Sequence, residues 1–267
     1  MATDLIGYLL AVLVGVSLGL IGSGGSILTV PILVYVMGVN PVLATAYSLF
    51  VVGTTSLVGG VQNAIQKKVD FKTVFIFGIP SIIAVYLTRA YLMPLIPDVI
   101  FSIGNFEVTK PIALMVLFAI VMIFASISMI RPCPHCKDAD SGEIKYNYPM
   151  ILLEGTLVGT LTGLVGAGGG FLIIPALVLL AKMPMKLAVG TSLFIIATKS
   201  LLGFTGDLQG SETIDWTLLS TFTGLSVVGI FIGIFLSKKI EGNKLKFAFG
   251  WFVLVMGIYI LIKELFL

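Results

Sequence analysis

Residues 19–33 read Gly-Leu-Ile-Gly-Ser-Gly-Gly-Ser-Ile-Leu-Thr-Val-Pro-Ile-Leu, and residues 163–177 read Gly-Leu-Val-Gly-Ala-Gly-Gly-Gly-Phe-Leu-Ile-Ile-Pro-Ala-Leu. The two stretches match without a gap at an offset of 144 residues. The same offset aligns an Ala-x-x-x-Ser-Leu-Phe pattern that begins at Ala44 in one copy and at Ala188 in the other. The chain is therefore a duplicated module, and each copy carries a glycine-rich break inside apolar sequence.

The composition indicates a polytopic membrane protein. Of the 267 residues, 58% are hydrophobic and only 11% are charged, and the apolar runs reach the roughly 17 to 25 residues that cross a bilayer. The net charge of +3 is small, and no basic run is interleaved with aromatic residues, which excludes a nucleic-acid partner. The first apolar run is preceded by Asp4 and by no basic residue, so we expect this segment to be retained rather than cleaved.

Eight apolar segments fall into two sets of four. The first segment of each set is long, residues 5–37 and 149–181, and is interrupted by the glycine cluster and then by Pro31 or Pro175. Ordinary spans are predicted at about 42–63, 72–93, 109–130, 185–206, 214–236 and 245–264. We therefore predict an all-α fold of two repeats, each a glycine-broken helical hairpin followed by three transmembrane helices. The boundaries are 1–132 for the N-terminal repeat, 133–148 for a linker loop and 149–267 for the C-terminal repeat.

The distribution of Lys and Arg predicts the topology. If every segment crosses once, the 15 basic residues outside the spans divide seven against eight. If each long segment returns to its starting side, they divide twelve against three, and only Arg89, Lys110 and Lys263 lie on the poorer side. The second arrangement obeys the positive-inside rule. It makes the two repeats inverted. In the cell inner membrane, it places both termini on the outer side and the central loop in the cytoplasm. The same holds whether the hairpins are re-entrant or cross the membrane fully.

Irregular backbone at membrane depth survives only where protein or a water-filled cavity surrounds it. The helices expected to begin near Ser26 and Gly170 would each point unpaired N–H groups and a partial positive charge at that cavity, which favours an anion. The alternative is that the glycines only permit close helix packing. We predict that the substrate-binding residues are the two glycine clusters and the polar residues of the spans that follow. They are Gly22, Ser23, Gly24, Gly25, Ser26, Ser48, Thr55, Gly166, Ala167, Gly168, Gly169, Gly170, Ser192 and Lys199.

A lysine stands in the polar stripe of the second copy. Ser48 and Thr55 share one helix face, and their repeat partners are Ser192 and Lys199. An ionisable residue this deep in a span is a functional candidate, either as a substrate contact or in an ion pair, for which Glu154 is the expected partner. Charged residues nearer the span ends are expected to snorkel or to lie in solvated loops. They are Arg89, Asp207, Glu212 and Asp215.

Enzymatic signatures are missing from the sequence. Ser23 has Ala167 at the equivalent position, no histidine lies in a span, and there is no Walker-type motif, so we predict a protein that is not an enzyme and binds no cofactor. Cys133, His135 and Cys136 lack the second ligand cluster of a zinc site and are expected to form a plain polar loop.

The paired Gly-x-Gly-Gly and Pro elements, each followed by an Ala-x-x-x-Ser-Leu-Phe span, resemble the TauE/SafE sulfite exporter family of membrane transporters over essentially the whole chain. The resemblance implies transport of a small sulfur-containing anion such as sulfite or a sulfonate. Export is favoured by an inside-negative potential. A proton- or sodium-coupled importer of an organic anion, with Glu154 as the proton carrier, and a membrane scaffold without substrate are the alternatives. The expected partners are this anion and the lipid bilayer, and a homo-oligomer stays open.

Overall fold

Helices make up nearly all of the computed structural model, which describes residues 2–103, 106–130, 148–179, 183–208, 214–237 and 242–266. The first half contains α1 (Ala2–Ile21), a 3₁₀ segment (Ser23–Leu28), α2 (Thr29–Pro31), a π-helical segment (Ile32–Val36), α3 (Pro41–Ile65), α4 (Phe71–Leu87), a second π-helical segment (Thr88–Leu92), α5 (Met93–Leu95) and α6 (Lys110–Ile130). The second half contains α7 (Tyr148–Val165), α8 (Gly170–Leu179), α9 (Met185–Asp207), α10 (Trp216–Leu236) and α11 (Gly242–Phe266). Apart from Tyr148, the predicted linker with Cys133, His135 and Cys136 lies outside the described residues.

The helices confirm a polytopic membrane protein. Five described stretches are long and apolar enough to cross a bilayer, and three shorter apolar helices accompany them. The five are Pro41–Ile65, Phe71–Leu95, Lys110–Ile127, Leu187–Asp207 and Trp216–Leu236. On α4, Phe75, Ile79 and Ile83 recur every four residues on one exposed face, whereas many serine and threonine side chains are buried. This reversal of the usual pattern suits a surface solvated by lipid.

Two strands interrupt the predicted all-helical order. Strands β1 (Val99–Ile103) and β2 (Phe106–Thr109) pair antiparallel between α5 and α6, with Val99 opposite Thr109. The segment is rich in β-branched and aromatic residues and is too short for a further span. The sequence-based prediction missed this hairpin because it searched only for long apolar runs.

Side chains at the helix starts fix where three spans begin. Asn40 accepts a hydrogen bond from the Val42 backbone N–H at the start of α3, where Pro41 occupies the first helical position. The carboxylates of Asp70 and Asp215 each accept two backbone N–H groups at the starts of α4 and α10. These caps satisfy donors that would otherwise be orphaned near the membrane surface.

Both long segments break at their glycines as predicted, but the first break is less regular than expected. Gly22 has a φ of 80° and Gly166 a φ of 75°, a region that only glycine adopts without strain. After Gly22 the chain continues as a 3₁₀ segment from Ser23 instead of an α-helix from Ser26, because Gly24 and Gly25 are poor α-helix formers. After Gly166 the α-helix begins at Gly170, as predicted.

Each broken hairpin packs its first helix on a helix of the other half. Helix α1 runs parallel to α10, since a Cβ built on Gly15 would overlap the Ser226 carbonyl oxygen and one on Gly19 would lie 2.5 Å from that of Ile230. Helix α7 runs parallel to α4 in the same way. Helix α6 packs on α11. The close backbone contacts of the α1–α10 and α4–α7 pairs require glycine, as in other small-residue helix interfaces in membranes.

The central pair, α3 and α9, runs antiparallel. A Cβ on Gly53 would contact Leu201, at 2.9 Å, and one on Gly60 would contact Phe194, at 3.0 Å. Continuing this register along the two helices places Thr55 of α3 at the level of Lys199 of α9. The core of the molecule is therefore formed by the two spans that follow the breaks.

A glycine substitution tests the α1–α10 contact. In Gly229→Ala the added Cβ would overlap the Val12 carbonyl oxygen and lie 3.0 Å from the Gly15 Cα, so we expect a loss of about 2 kcal/mol from overpacking and a Tm lower by about 4 to 8 °C. In Gly224→Ala, on the same helix, the Cβ meets no atom within 4 Å, and the Tm should stay within about 1 °C of the wild type. Equal melting of the two variants would contradict the contact.

Candidate functional site

The candidate site centres on Lys199, in the middle of α9. Its side chain is fully buried, and its Nζ donates a hydrogen bond to the Thr162 Oγ1 of α7 at 3.1 Å. Within the described residues, no carboxylate forms a salt bridge with Lys199. Glu154, the expected alternative partner, is half-buried on α7, two turns before Thr162 and next to the lipid-exposed Leu153. A buried ammonium is costly in membrane, and here only a neutral hydroxyl offsets that cost.

The second glycine break lies directly against this ammonium. A Cβ on Gly169 would lie 2.8 Å from the Lys199 Nζ and would overlap the Thr162 Oγ1. Helix α8 begins at the next residue, Gly170, so its unpaired N–H groups and partial positive charge are adjacent to Lys199. The fixed charge and the helix terminus therefore favour an anion at the same place.

The two breaks also meet each other. A Cβ on Gly168 would lie 3.4 Å from the Ser26 Cβ of the first hairpin, 2.6 Å from Val52 of α3 and 3.4 Å from Ile196 of α9. Val52 and Ile196 are mid-helix residues, so the breaks approach each other half-way along the central helices. Gly25, by contrast, packs against the backbone of its own hairpin at Leu18.

Several buried hydroxyl groups add polar atoms to this otherwise apolar core. Ser48 and Thr55 were predicted site residues, and both hydroxyls are buried without a hydrogen-bond partner in the described part of the chain. The same is true of four hydroxyls that the sequence-based prediction did not include, those of Thr29, Ser56, Ser81 and Ser200. Each such group costs about 1–3 kcal/mol when left unpaired.

Other predicted residues stand apart from Lys199 or are engaged within their own helix. Gly22 contacts Val189 near the start of α9, and Gly166 contacts Thr45 near the start of α3. The Ser192 hydroxyl donates to the Val189 carbonyl oxygen, at 2.8 Å. Two further predicted residues, Ser23 and Gly24, lie in the 3₁₀ segment and Ala167 is buried in the second break. The structure thus brings only part of the predicted set close to the lysine.

Arg89 corrects the expectation that charges near the span ends snorkel. It lies in the second π-helical segment and is fully buried, and its Nη1 donates to the Asp207 Oδ1, at 3.2 Å, and to the Thr45 Oγ1, at 3.1 Å. Asp207 is the last residue of α9 and pairs across the two halves. The position of Arg89 inside the predicted span 72–93 could have indicated its burial. Its partner could not be predicted, because Asp207 is 118 residues away in the sequence. Asp215 likewise caps α10, as described above.

A separate apolar cavity of about 490 Å³ lies between α1, the return segment of the first hairpin and α11. Leu13, Val16, Leu28 and Phe252 are among its lining residues. Its lining is apolar apart from Ser17 and Tyr35, whose hydroxyls donate to Val14 and Glu264, so a small anion would lose most of its hydration there without replacement. The cavity is not part of the candidate site.

A polytopic helical protein with paired helix breaks, and with a buried lysine that has no carboxylate partner among the described residues, has the architecture of a membrane transporter. The family model for the sulfite exporter TauE/SafE matches residues 7–260, and the chain belongs to that family. A probable membrane transporter protein of Xylella fastidiosa is 30% identical over 253 residues, which cover 93% of this chain and 91% of the relative. Similar proteins, also called probable membrane transporter proteins, are 26% identical in Bacillus subtilis and 29% identical in Methanocaldococcus jannaschii, with at least 95% of each chain covered. No solved structure gives a significant match.

This membership confirms two predictions from the sequence. The chain is a multi-pass membrane transporter of the TauE/SafE family, and it is not an enzyme.

Proposed function

We propose that the protein exports a small sulfur-containing anion, sulfite or a sulfonate, from the cytoplasm through a site half-way across the membrane where the two glycine breaks meet. The sulfite exporter family supports the substrate class. The observation that carries the proposal is Lys199, which is fully buried, lacks a carboxylate partner among the described residues and touches the break at Gly169. Oxygens of such an anion can accept from the Lys199 ammonium and from the first N–H groups of α8, whereas the Thr162 hydroxyl already donates to the Val158 carbonyl oxygen, at 2.6 Å.

Equivalent contacts in the two halves support an inverted repeat. Gly22 meets Val189, and Gly166 meets Thr45, so each break contacts the same position of the other half's central helix. Both pairs are related by the offset of 144 residues. Such an exchange of partners is expected when two like units are related by a two-fold axis in the membrane plane.

Hydrogen bonds at the starts of α4 and α10 also join equivalent positions of the two repeats. The Asp70 backbone N–H donates to the Thr191 Oγ1, at 2.9 Å, and the Asp215 backbone N–H donates to the Tyr47 hydroxyl, at 2.5 Å. Thr191 and Tyr47 are repeat partners, and the two aspartates differ by 145 residues. The contacts thus recur at the two opposite ends of the antiparallel α3–α9 pair.

The pseudo-two-fold axis inferred from these pairs passes beside the candidate site. Thr55 is the repeat partner of Lys199, and the register of α3 and α9 places the two residues at the same level. A site on such an axis can be approached from either side when one half moves against the other, which is the geometry of alternating access. The duplication therefore gives one shared site with a single fixed cation.

Because Arg89 is buried, the distribution of basic residues between the two sides of the membrane becomes more unequal. Once Arg89 is counted with Lys199 as a membrane residue, the remaining basic residues divide twelve against two, and only Lys110 and Lys263 lie on the outer side. With the basic side in the cytoplasm, both termini lie outside. Moving one negative charge out is then favourable by about 2.3 kcal/mol per 100 mV, so export needs no coupling ion. Glu154, the proton carrier of the alternative importer, has no contact with Lys199 among the described residues.

Cysteine labelling of intact cells tests this orientation. We expect a membrane-impermeant reagent to label Lys110→Cys in a variant that lacks Cys133 and Cys136, and to leave Lys67→Cys unlabelled until the cells are opened. The opposite labelling pattern would reverse the orientation, and labelling of both positions in intact cells would contradict the single crossing of Phe71–Leu95 between them.

Ligand binding tests the substrate class. The detergent-purified protein should gain thermal stability with at least one of sulfite, thiosulfate, taurine and sulfoacetate, because a ligand that binds only the folded state raises its stability. At 100 times its Kd, an anion stabilises by about 2.7 kcal/mol. Sodium chloride at equal ionic strength is the control. No shift with any sulfur anion would favour a different substrate or a scaffold role and would contradict the proposal.

A further inference from the structure

Arg89 uses only one of its nitrogens in the structure. The Nη1 donates to both the Asp207 Oδ1 and the Thr45 Oγ1. The Nε and the Nη2 are buried and have no hydrogen-bond partner in the part of the chain that the structure describes. The same is true of the Asp207 Oδ2. This ion pair is therefore incomplete, although the Arg89 side chain is fully buried and the Asp207 side chain is only 17% exposed.

The unused edge of the guanidinium is suited to an oxyanion. The Nε and Nη2 N–H groups lie side by side in a rigid plane and match two oxygens of a carboxylate, sulfite or sulfonate group. Asp207 does not occupy this edge, since its recorded bond is to the Nη1. Buried charges that are only partly paired are costly, so a ligand that completes the set of hydrogen bonds would recover part of that cost.

The position of Arg89 links this edge to the central site. Asp207 lies eight residues after Lys199 on α9, which is about 12 Å along the helix. Thr45 contacts Gly166, at the start of the second break. Arg89 also lies in a π-helical segment, a local irregularity that often marks functional positions.

We propose that the Nε–Nη2 edge of Arg89 is a second anion-binding station, which holds the oxyanion group of the substrate between the central site and the outer surface. This inference rests on the proposed function, because it needs an anion that passes Lys199. In the described part of the chain, the equivalent positions of the repeat form no second such station. The repeat partners of Thr45 and Asp207 are Val189 and Asn63, which provide no ion pair at the inner end.

Binding stoichiometry tests the second station. Calorimetric titration of the purified full chain with sulfite should give two sites per wild-type chain and one in Arg89→Lys. Lysine keeps the positive charge opposite Asp207 but lacks the two parallel N–H groups of the guanidinium edge. We therefore expect the anion affinity of the outer station to fall at least tenfold. Lys199→Met should keep the outer station and lose the central one. Lys110→Met is the matched control for an outer cation, since its Nζ is already bonded to the Met93 carbonyl oxygen, and it should keep both sites.

The outcomes separate this inference from the proposed function. One site in the wild type that is lost in Lys199→Met and kept in Arg89→Lys would overturn the second station and leave the central site standing. Two sites in Arg89→Lys with unchanged affinities would overturn it as well. No sulfite binding by the wild type would overturn both. If Arg89→Lys does not fold, the paired variant Arg89→Gln with Asp207→Asn removes both charges together, and it should again show one site.

Discussion

Lys199→Met should weaken sulfur-anion binding at the central site by about 10- to 100-fold, because one charge-assisted hydrogen bond contributes about 1.5 to 3 kcal/mol. The same substitution should raise the Tm of the ligand-free protein by several degrees. The ammonium is fully buried and bonded only to Thr162 among the described residues, and an ionisable group at this depth costs about 2.5 to 3.5 kcal/mol on insertion scales. Stability and function are therefore expected to move in opposite directions.

This pair of results distinguishes a substrate contact from a structural ion pair. Loss of a structural lysine would lower the Tm, because it would leave a buried carboxylate unpaired. Calorimetry and thermal melting of Lys199→Met, with Lys110→Met as the surface control, give both quantities. Unchanged anion affinity with a lower Tm would mean that Lys199 only supports the fold.

Gly169→Ala should weaken anion binding by changing the backbone beside Lys199. The added Cβ would overlap the Thr162 Oγ1 and approach the Lys199 Nζ to 2.8 Å, so the ammonium must move away from the start of α8. The φ of 60° at Gly169 adds about 1 to 2 kcal/mol of backbone strain for alanine. We expect a loss of affinity similar to that in Lys199→Met, but with a lower Tm.

Gly38→Ala is the matched control for strain. Gly38 has a φ of 70°, and a Cβ there would meet no atom within 4 Å. It should lose about 1 to 2 kcal/mol of stability from strain alone and bind the anion as the wild type does. Equal affinity in Gly169→Ala and Gly38→Ala, measured by the same titration, would contradict the position of the second break in the site.

The duplicated glycine-proline stretches and the apolar runs were sufficient to predict the breaks, the spans and the transporter class. These features depend on local chemistry: length and apolarity determine which segments can cross a bilayer, and only glycine adopts the backbone conformations at Gly22 and Gly166 without strain. Lys199 was identified for a similar reason, since a charge deep in an apolar run is visible in the sequence alone.

What the sequence could not predict depends on tertiary packing. Arg89 and Asp207 pair across 118 residues, and either residue alone looks like a snorkelling side chain. The hydroxyl of Thr162 lies beside Lys199 because α7 and α9 both pack on α4. The close contact of Gly25 with the backbone of α1, where an added Cβ would lie 2.5 Å from the Leu18 nitrogen, likewise depends on how the hairpin folds back.

Sulfite efflux from proteoliposomes is the most direct test of the central claim. Vesicles loaded with radiolabelled sulfite should release it faster with wild-type protein than without, saturably with internal sulfite, and faster still under an inside-negative potential. Lys199→Met vesicles should release it no faster than protein-free vesicles. Wild-type efflux that is matched by Lys199→Met would contradict the anion site at the meeting point of the two breaks, and efflux no faster than from empty vesicles would contradict sulfite export itself.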